Sequence, residues 1–260
     1  LDRIEKGIPI KKIQDVRGTC VRVDNSKRQE LLNKGYVELP SYKSIINDKT
    51  CYAKSFHIES RNTDSLNADI LFQEQKNGEL VIQPIRIEGE DGSVTYESGR
   101  INTMRHQQFT YGRVEARIQV PEGQGFLPAF WMMPAANIPY GGWPRSGEID
   151  IMEVVGHETN VTHGTIHYGN PHNQNQVTYT LPEGEDFASS YHVFAVEWEP
   201  GRITWFVDDI EIGSTSDWFS ATEGLEPHTY PAPFNMDFYI ILNVAVGGNW
   251  PGDPDETTPF

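Results

Sequence analysis

The sequence contains few cysteines, few basic residues and no long apolar run. Only two of its 260 residues are cysteines. Cys20 and Cys51 allow one disulfide or two free thiols, but not a framework of several disulfides. No apolar run approaches the roughly 18 residues that cross a bilayer, so a membrane-spanning helix is not expected. The chain opens at Leu1 without the basic stretch and apolar core of a signal peptide, as expected for a mature or trimmed form.

The shortage of basic residues gives the chain a formal net charge of -16. That charge argues against nucleic acid or an anionic membrane surface as a partner, since both would be repelled, whereas a neutral polymer would not be. The charge is also uneven, because residues 1–66 hold 13 basic and 9 acidic residues and the rest hold 8 and 28. We therefore divide the chain into residues 1–66, a divergent N-terminal segment, and residues 67–260, the main domain.

A long helical period is also missing from the main domain. From about Ile70 onward, apolar and polar residues largely alternate with period two, and glycine-containing turn signals recur at short intervals. This pattern predicts an all-β antiparallel sandwich. Residues 191–199 and 202–207 are expected to form a hairpin, and residues 238–246 a central buried strand. Only residues 29–34 suggest a short helix.

Three acidic residues lie within six positions of one predicted strand, Glu148, Asp150 and Glu153. On a regular strand, Glu148 and Asp150 point to the same face, and Met152 rather than Glu153 would follow on that face. Either Glu153 points to the other face, or a bulge at Met152 restores the alternation. We adopt the bulge, a device common beside active sites.

Three acids on one face would repel one another and raise at least one pKa. A solvated edge strand would avoid that cost, but the apolar residues between and after the acids require the other face to be buried. The pattern therefore favours catalysis. Hydrolysis of a glycosidic bond needs one ionised carboxylate and one protonated carboxyl, which Glu148 and Glu153 could supply while Asp150 tunes the pair.

A series of motifs accompanies the acidic strand in a fixed order. They are SGRI (98–101), YGRVEAR (111–117), PAFWMMP (128–134), EIDIME (148–153), GTIHY (164–168), LPEGEDF (181–187), VEW (196–198) and LNVAVGGNWPG (242–252). With these motifs, residues 67–260 resemble glycoside hydrolase family 16, and specifically its laminarinase (endo-β-1,3-glucanase) branch.

The resemblance implies a curved β-sandwich of the jelly-roll type with a concave substrate cleft. It implies retaining endo-hydrolysis of β-1,3-glucan or mixed β-1,3/1,4-glucan, with Glu148 as nucleophile, Glu153 as acid/base and Asp150 as their helper. Met152 matches the residue that the laminarinase branch inserts and the lichenase branch lacks. We further expect a secreted, extracellular protein that acts as a monomer.

The resemblance also suggests residues that hold the sugar chain. Without it, the tryptophans would more often be core residues and His167 an interior hydrogen-bonded histidine. With it, the expected cleft residues are Trp131, Trp143, Arg100, His167 and Trp250. We expect Trp198 and Trp205 to remain in the core.

No metal site is expected, because the eight histidines show no ligand-like pairing and the cysteines lie far apart. His163 and His167 share a strand face, but nothing else marks them as zinc ligands. Catalysis should need no cofactor, while a structural calcium of the kind common in the family stays open. The family's usual terminal strands are missing from both ends, so residues 1–66 are expected to complete the sandwich, which would otherwise expose an edge.

Two other functions are compatible with this resemblance. A non-catalytic β-glucan recognition protein could share the sandwich, but such proteins usually lose the carboxylates that are present here. A family hydrolase of algal galactans is the other alternative. The acidic main domain favours a neutral glucan over a sulfated chain.

Overall fold

The computed structural model describes residues 80–260 apart from 105–106, 138 and 222–225, and before them the backbone of four strands. The helix predicted over residues 29–34 and the side chains of Cys20 and Cys51 lie outside the described residues. Throughout the described part of the chain the regular structure is β-strand, without a helix. Accordingly, no helix in this part is long and apolar enough to cross a membrane.

Seventeen strands lie in the part of the chain that the structure describes, and they are numbered in chain order. They are β1 (Gly18–Val23), β2 (Val37–Leu39), β3 (Thr50–Ser55), β4 (Phe72–Glu74), β5 (Leu80–Ile82), β6 (Ile85–Glu88), β7 (Val94–Glu97), β8 (Arg100–Asn102), β9 (Gly112–Ile118), β10 (Phe126–Pro134), β11 (Glu148–Glu153), β12 (Val161–Tyr168), β13 (Asn173–Thr180), β14 (His192–Glu199), β15 (Arg202–Val207), β16 (Ile210–Thr215) and β17 (Phe238–Val246).

Two large antiparallel sheets contain most of these strands. The seven-stranded sheet has the order β16-β15-β14-β9-β1-β3-β2, and the six-stranded sheet the order β13-β12-β11-β10-β17-β8. The predicted all-β antiparallel sandwich is therefore confirmed. The predicted hairpin is β14 and β15, which pair antiparallel, and the predicted central strand is β17, which lies between β10 and β8.

Apolar side chains of both sheets form one core. Alternation along β14 buries Phe194, Val196 and Trp198 in the core. The residues between them point to the other face of the sheet. Trp198 and Trp205 are fully buried, as predicted. Their indoles are also hydrogen-bonded, Trp198 to the Phe234 carbonyl at 3.1 Å and Trp205 to the Asp150 carbonyl at 2.8 Å. The second bond ties β15 of one sheet to β11 of the other.

The N-terminal strands extend the seven-stranded sheet. β1 pairs with β9 through Thr19 with Val114 and Cys20 with Arg113, and β3 pairs with β1 along its whole length. β2 pairs with β3 at the outer edge of the sheet. These strands thus cover an edge of β9 whose backbone groups would otherwise lack partners.

Candidate active site

The acidic strand β11 lies in the middle of the six-stranded sheet, between β10 and β12. Ile149, Ile151 and Met152 are buried in the core, while Glu148 and Glu153 are only partly buried. Asp150 is buried, with 3% of its side chain exposed. The apolar residues fix the strand between its neighbours, so the acids cannot turn away from the face on which they lie.

A bulge in β11 brings the three acids to that face. Toward β12, Asp150 pairs with Thr165 and Glu153 with His163, so Ile151 and Met152 together lie opposite Gly164 alone. The predicted bulge is confirmed, but its position needs a correction. Toward β10, Met152 still pairs with Phe130 and the unpaired residue is Ile151. Both side chains are buried in the core, so burial alone does not decide which of the two residues is unpaired.

Gly164 leaves room for the side chain that anchors the bulge. A Cβ atom at Gly164 would lie 2.5 Å from Nε1 and 2.7 Å from Cγ of Trp205. The same indole donates its hydrogen bond to the Asp150 carbonyl. Only a glycine therefore allows Trp205 to approach β12 closely enough to hold Asp150 in place.

An open cavity of about 470 Å³ lies over these acids. Its walls include Glu148, Asp150 and Glu153 from β11, Trp131 from β10, Arg100 from β8 and residues 243–246 of β17. Two contacts hold Trp131. The Arg100 guanidinium lies 4.6 Å from the centre of its ring system, and its Nε1 donates a 2.7 Å hydrogen bond to Asn243 Oδ1.

Aromatic rings extend the site beyond this cavity in two directions. Trp143, 51% exposed, lies 5.1 Å from His172 and 6.1 Å from His167, measured between ring centres. Beyond Glu153, Trp250, 44% exposed, lies 5.3 Å from His163. Exposed indole faces suit the apolar faces of sugar rings.

Burial raises the pKa of all three carboxyls, and repulsion between carboxylates adds to the shift at Glu148 and Glu153. Burial is the main cause for each. An ionised Asp150 adds to the shift at Glu148, whose pKa is raised to about 8, and also at Glu153, so a protonated Asp150 favours ionisation of either glutamate. His167, a hydrogen bond from Trp143 and Arg100 oppose the shift at Glu148. Of these three only His167 acts at Glu153, so the two carboxyls differ in their surroundings although the pKa of Glu153 is also raised to about 8.

Comparison with known proteins shows the family of the chain. The family model described as "Glycosyl hydrolases family 16" matches residues 50–259. The chain belongs to glycosyl hydrolase family 16. The match begins ahead of residue 67, the predicted start of the resemblance, and includes β3.

Similar proteins carry glucanase names. The chain is 43% identical over 162 residues to glucan endo-1,3-beta-glucosidase A1 of Niallia circulans, covering 60% of this chain and 23% of that protein. It is 38% identical over 192 residues to a glucan endo-1,3-beta-glucosidase of Cryptopygus antarcticus, covering 70% of each. The laminarinase catalytic domain of Thermotoga maritima matches with a TM-score of 0.60 and 38% identity, covering 71% of this chain and 73% of that one. The chain thus spans less than a quarter of the first relative.

Among the described residues of this family 16 chain, one group has the spacing of a metal site. The donor atoms of Glu148, Asp150 and His167 lie within 4.8 Å of one another. Contacts within the group account for that spacing, because His167 Nε2 is 3.3 Å from Asp150 Oδ2 and 3.9 Å from Glu148 Oε1.

The structure brings all the predicted site residues into one region. Arg100 and Trp131 line the cavity with the three acids, His167 contacts Asp150, and Trp143 and Trp250 lie on either side. Sequence reasoning missed Asn243 and His172. Asn243 lies in the LNVAVGG motif, whose position in a buried strand was the available signal, whereas His172 lies in a turn and carries no such signal.

Proposed function

We propose that this protein is a secreted, retaining endo-hydrolase of β-1,3-glucan or mixed β-1,3/1,4-glucan. The observation that carries the proposal is the bulge at Ile151–Met152, which places Glu148 and Glu153 on one cavity wall with buried Asp150 between them. Two carboxyls of different surroundings on one wall are what a double-displacement glycosidase needs.

The surroundings assign a role to each carboxyl. Asp150 is the most deeply buried of the three and burial raises its pKa, so we assign it the role of holding a proton beside Glu148. Glu148 has a hydrogen bond from Trp143 and the nearby charge of Arg100, both of which favour its ionised form, so we assign it the role of the anion. Glu153 lacks these partners, and the negative charge of Glu148 raises its pKa further, so we assign it the role of the protonated carboxyl.

These protonation states give the reaction sequence. Glu148 attacks the anomeric carbon while Glu153 donates its proton to the leaving glycosidic oxygen, which breaks the bond and forms a glycosyl ester on Glu148. Glu153, now ionised, takes a proton from water, and the resulting hydroxide displaces Glu148 from the anomeric carbon. Two inversions restore the β-configuration. Neither step needs a cofactor.

The site also supports a long, neutral chain as substrate. The cavity is open, and exposed indoles lie beyond both carboxyls, at Trp143 and Trp250, so a chain can bind across the site and be cut internally. The net charge of -16 disfavours sulfated galactans. We propose that the protein acts outside the cell as a monomer.

The test is the size of the products released by purified protein from laminarin, lichenan, agarose and carrageenan. We expect laminarin and lichenan to yield short oligosaccharides from the start of the reaction, and the galactans to stay intact. The control is Glu148→Gln, which should bind laminari-oligosaccharides without cutting them. If the natural protein binds laminarin but cuts none of the four polymers, it is a recognition protein and the proposal is wrong.

A further inference from the structure

A second histidine, His172, contacts the carboxylate cluster through His167. His172 Nε2 lies 2.9 Å from His167 Nδ1, and the two rings are nearly parallel with centres 5.1 Å apart. On its other side, His167 Nε2 approaches Asp150 Oδ2, a buried atom that has no hydrogen-bond partner among the described residues. A chain of four groups thus runs from the exposed His172 through His167 and Asp150 to Glu148.

The turn that carries His172 is held in place. Gly169 has a φ of 74°, and a Cβ there would lie 2.8 Å from the Phe219 ring, which packs beneath the turn. The Asn170 amide donates a 2.9 Å hydrogen bond to the Ala221 carbonyl. With Trp143 packed against His172, these contacts fix the imidazole beside His167.

Proton counting limits how the two imidazoles bond. A contact of 2.9 Å between ring nitrogens requires one proton between them. If neutral His167 supplied that proton from Nδ1, its Nε2 lone pair would face the oxygens of Asp150 and Glu148. Repulsion from ionised Glu148, whose Oε1 is 3.9 Å away, disfavours that tautomer. If His172 supplies the proton, His167 Nε2 carries its own proton toward the carboxyls.

The arrangement also works when His167 is charged. Both of its nitrogens are then protonated, Nδ1 donates to neutral His172, and Nε2 still directs a proton at Asp150. A group able both to donate to and accept from His167 Nδ1 therefore favours a protonated Nε2 in either charge state.

We propose that His172 is a positioning residue that keeps the Nε2 proton of His167 directed at Asp150 and Glu148. This inference rests on the proposed function, since the effect it predicts is on a nucleophile. The charged or titratable groups around the pair are Asp150, Glu148 and Glu153 on β11 and Arg100 on β8. Of these groups, only the carboxyls can accept a hydrogen bond from His167 Nε2.

Two variants separate the hydrogen bond from ring packing. His172→Phe keeps an aromatic ring against Trp143 and has no ring nitrogen, whereas His172→Gln has an amide that both donates and accepts. For His172→Phe we expect kcat to fall about tenfold with KM changed less than about threefold. The acidic limb of the pH profile should move to higher pH, because Glu148 loses part of a donor that favours its ionised form. His172→Gln should recover most of both effects.

The tautomer can be measured without substrate. Long-range ¹H–¹⁵N correlation spectra of the imidazoles, with His167 assigned from His167→Asn, should show a protonated Nε2 in the natural protein and in His172→Gln. In His172→Phe the population of the Nδ1-protonated form should rise, because Nδ1 no longer accepts a hydrogen bond from His172, while repulsion from Glu148 still opposes that form. If natural His167 is protonated on Nδ1 alone, or if His172→Phe leaves its spectrum unchanged, the inference is overturned.

The two readouts keep this inference distinct from the proposed function. A natural protein that cuts no glucan refutes the proposed function, while the spectra still decide the bond between the histidines. Equal losses of kcat in both variants, with an unshifted pH profile, would reduce His172 to a packing role and also overturn the inference.

Discussion

Gly164→Ala tests whether packing between the sheets holds the active site in shape. The added methyl group would overlap the Trp205 indole, whose nearest ring atoms belong to a fully buried side chain. The indole must move, and its hydrogen bond to the Asp150 carbonyl must lengthen or break. Because Asp150 lies at the start of the bulge, the change should reach the carboxyls although no acid is replaced.

The expected loss of stability has two parts. Overpacking a dense core costs about 1 to 3 kcal/mol. A buried indole N–H and a buried carbonyl left without each other cost about 1 to 3 kcal/mol more. A shift of the indole reduces the overpacking but breaks the hydrogen bond, so the two costs do not add in full. We therefore expect the free energy of unfolding to fall by about 2 to 4 kcal/mol in total. Activity should fall at least about tenfold in protein that is still folded, because displacement of the bulge misplaces Glu153 relative to Glu148.

Urea unfolding at a fixed pH gives the free energy of unfolding, and laminarin hydrolysis measured well below the transition gives the activity. Gly142→Ala is the matched control, because a Cβ there meets no atom within 4 Å and its φ is not positive. Its stability should change by less than about 0.5 kcal/mol. If Gly164→Ala is as stable and as active as the natural protein, the Trp205 indole does not anchor the bulge.

Three further changes address the carboxyls and the sugar platform. Glu148→Gln should abolish hydrolysis. Because the pKa of Glu148 is raised in the folded state, the natural protein should lose stability as pH rises from about 4.5 to about 8, and Glu148→Gln should not. The free energy of unfolding of the variant minus that of the natural protein should therefore be about 1 to 3 kcal/mol larger at pH 8.5 than at pH 4.5. Equal differences at both pH values would contradict this. Trp143→Ala should weaken oligosaccharide binding by about 1 to 3 kcal/mol in calorimetry, and an unchanged affinity with a large loss of stability would instead make it a structural residue. Deletion of Met152 should remove the bulge but leave Glu153 on the cavity face, because Glu148, Asp150 and Glu153 then alternate regularly along the strand, so the variant should keep measurable hydrolysis; complete loss of activity in folded protein would contradict this.

Local patterns predicted the sandwich and the acidic strand. Alternation along residues 191–207 and 238–246 was enough for β14, β15 and β17, because side chains of period two define which face is buried. The bulge followed from the odd spacing between Asp150 and Glu153. Its location did not, since Ile151 and Met152 are both apolar and only their pairing with Phe130 and Gly164 distinguishes them.

Contacts between distant strands could not be predicted in this way. Trp205 was expected in the core, where it lies, but its bond to Asp150 depends on the packing of two sheets. Asn243 acts on Trp131 across neighbouring strands, and His172 reaches His167 through the conformation of a turn. Neither pairing leaves a periodic signal in the sequence.

Proton NMR of laminarin hydrolysis shows whether Glu148 acts as a nucleophile. If Glu148 forms a glycosyl ester that Glu153 then helps to hydrolyse, the first new reducing ends must be β-anomers, with the α-signal growing only through mutarotation. The Glu148→Gln variant should release neither. An α-anomer that appears first would show a single displacement by water and contradict the nucleophile role of Glu148.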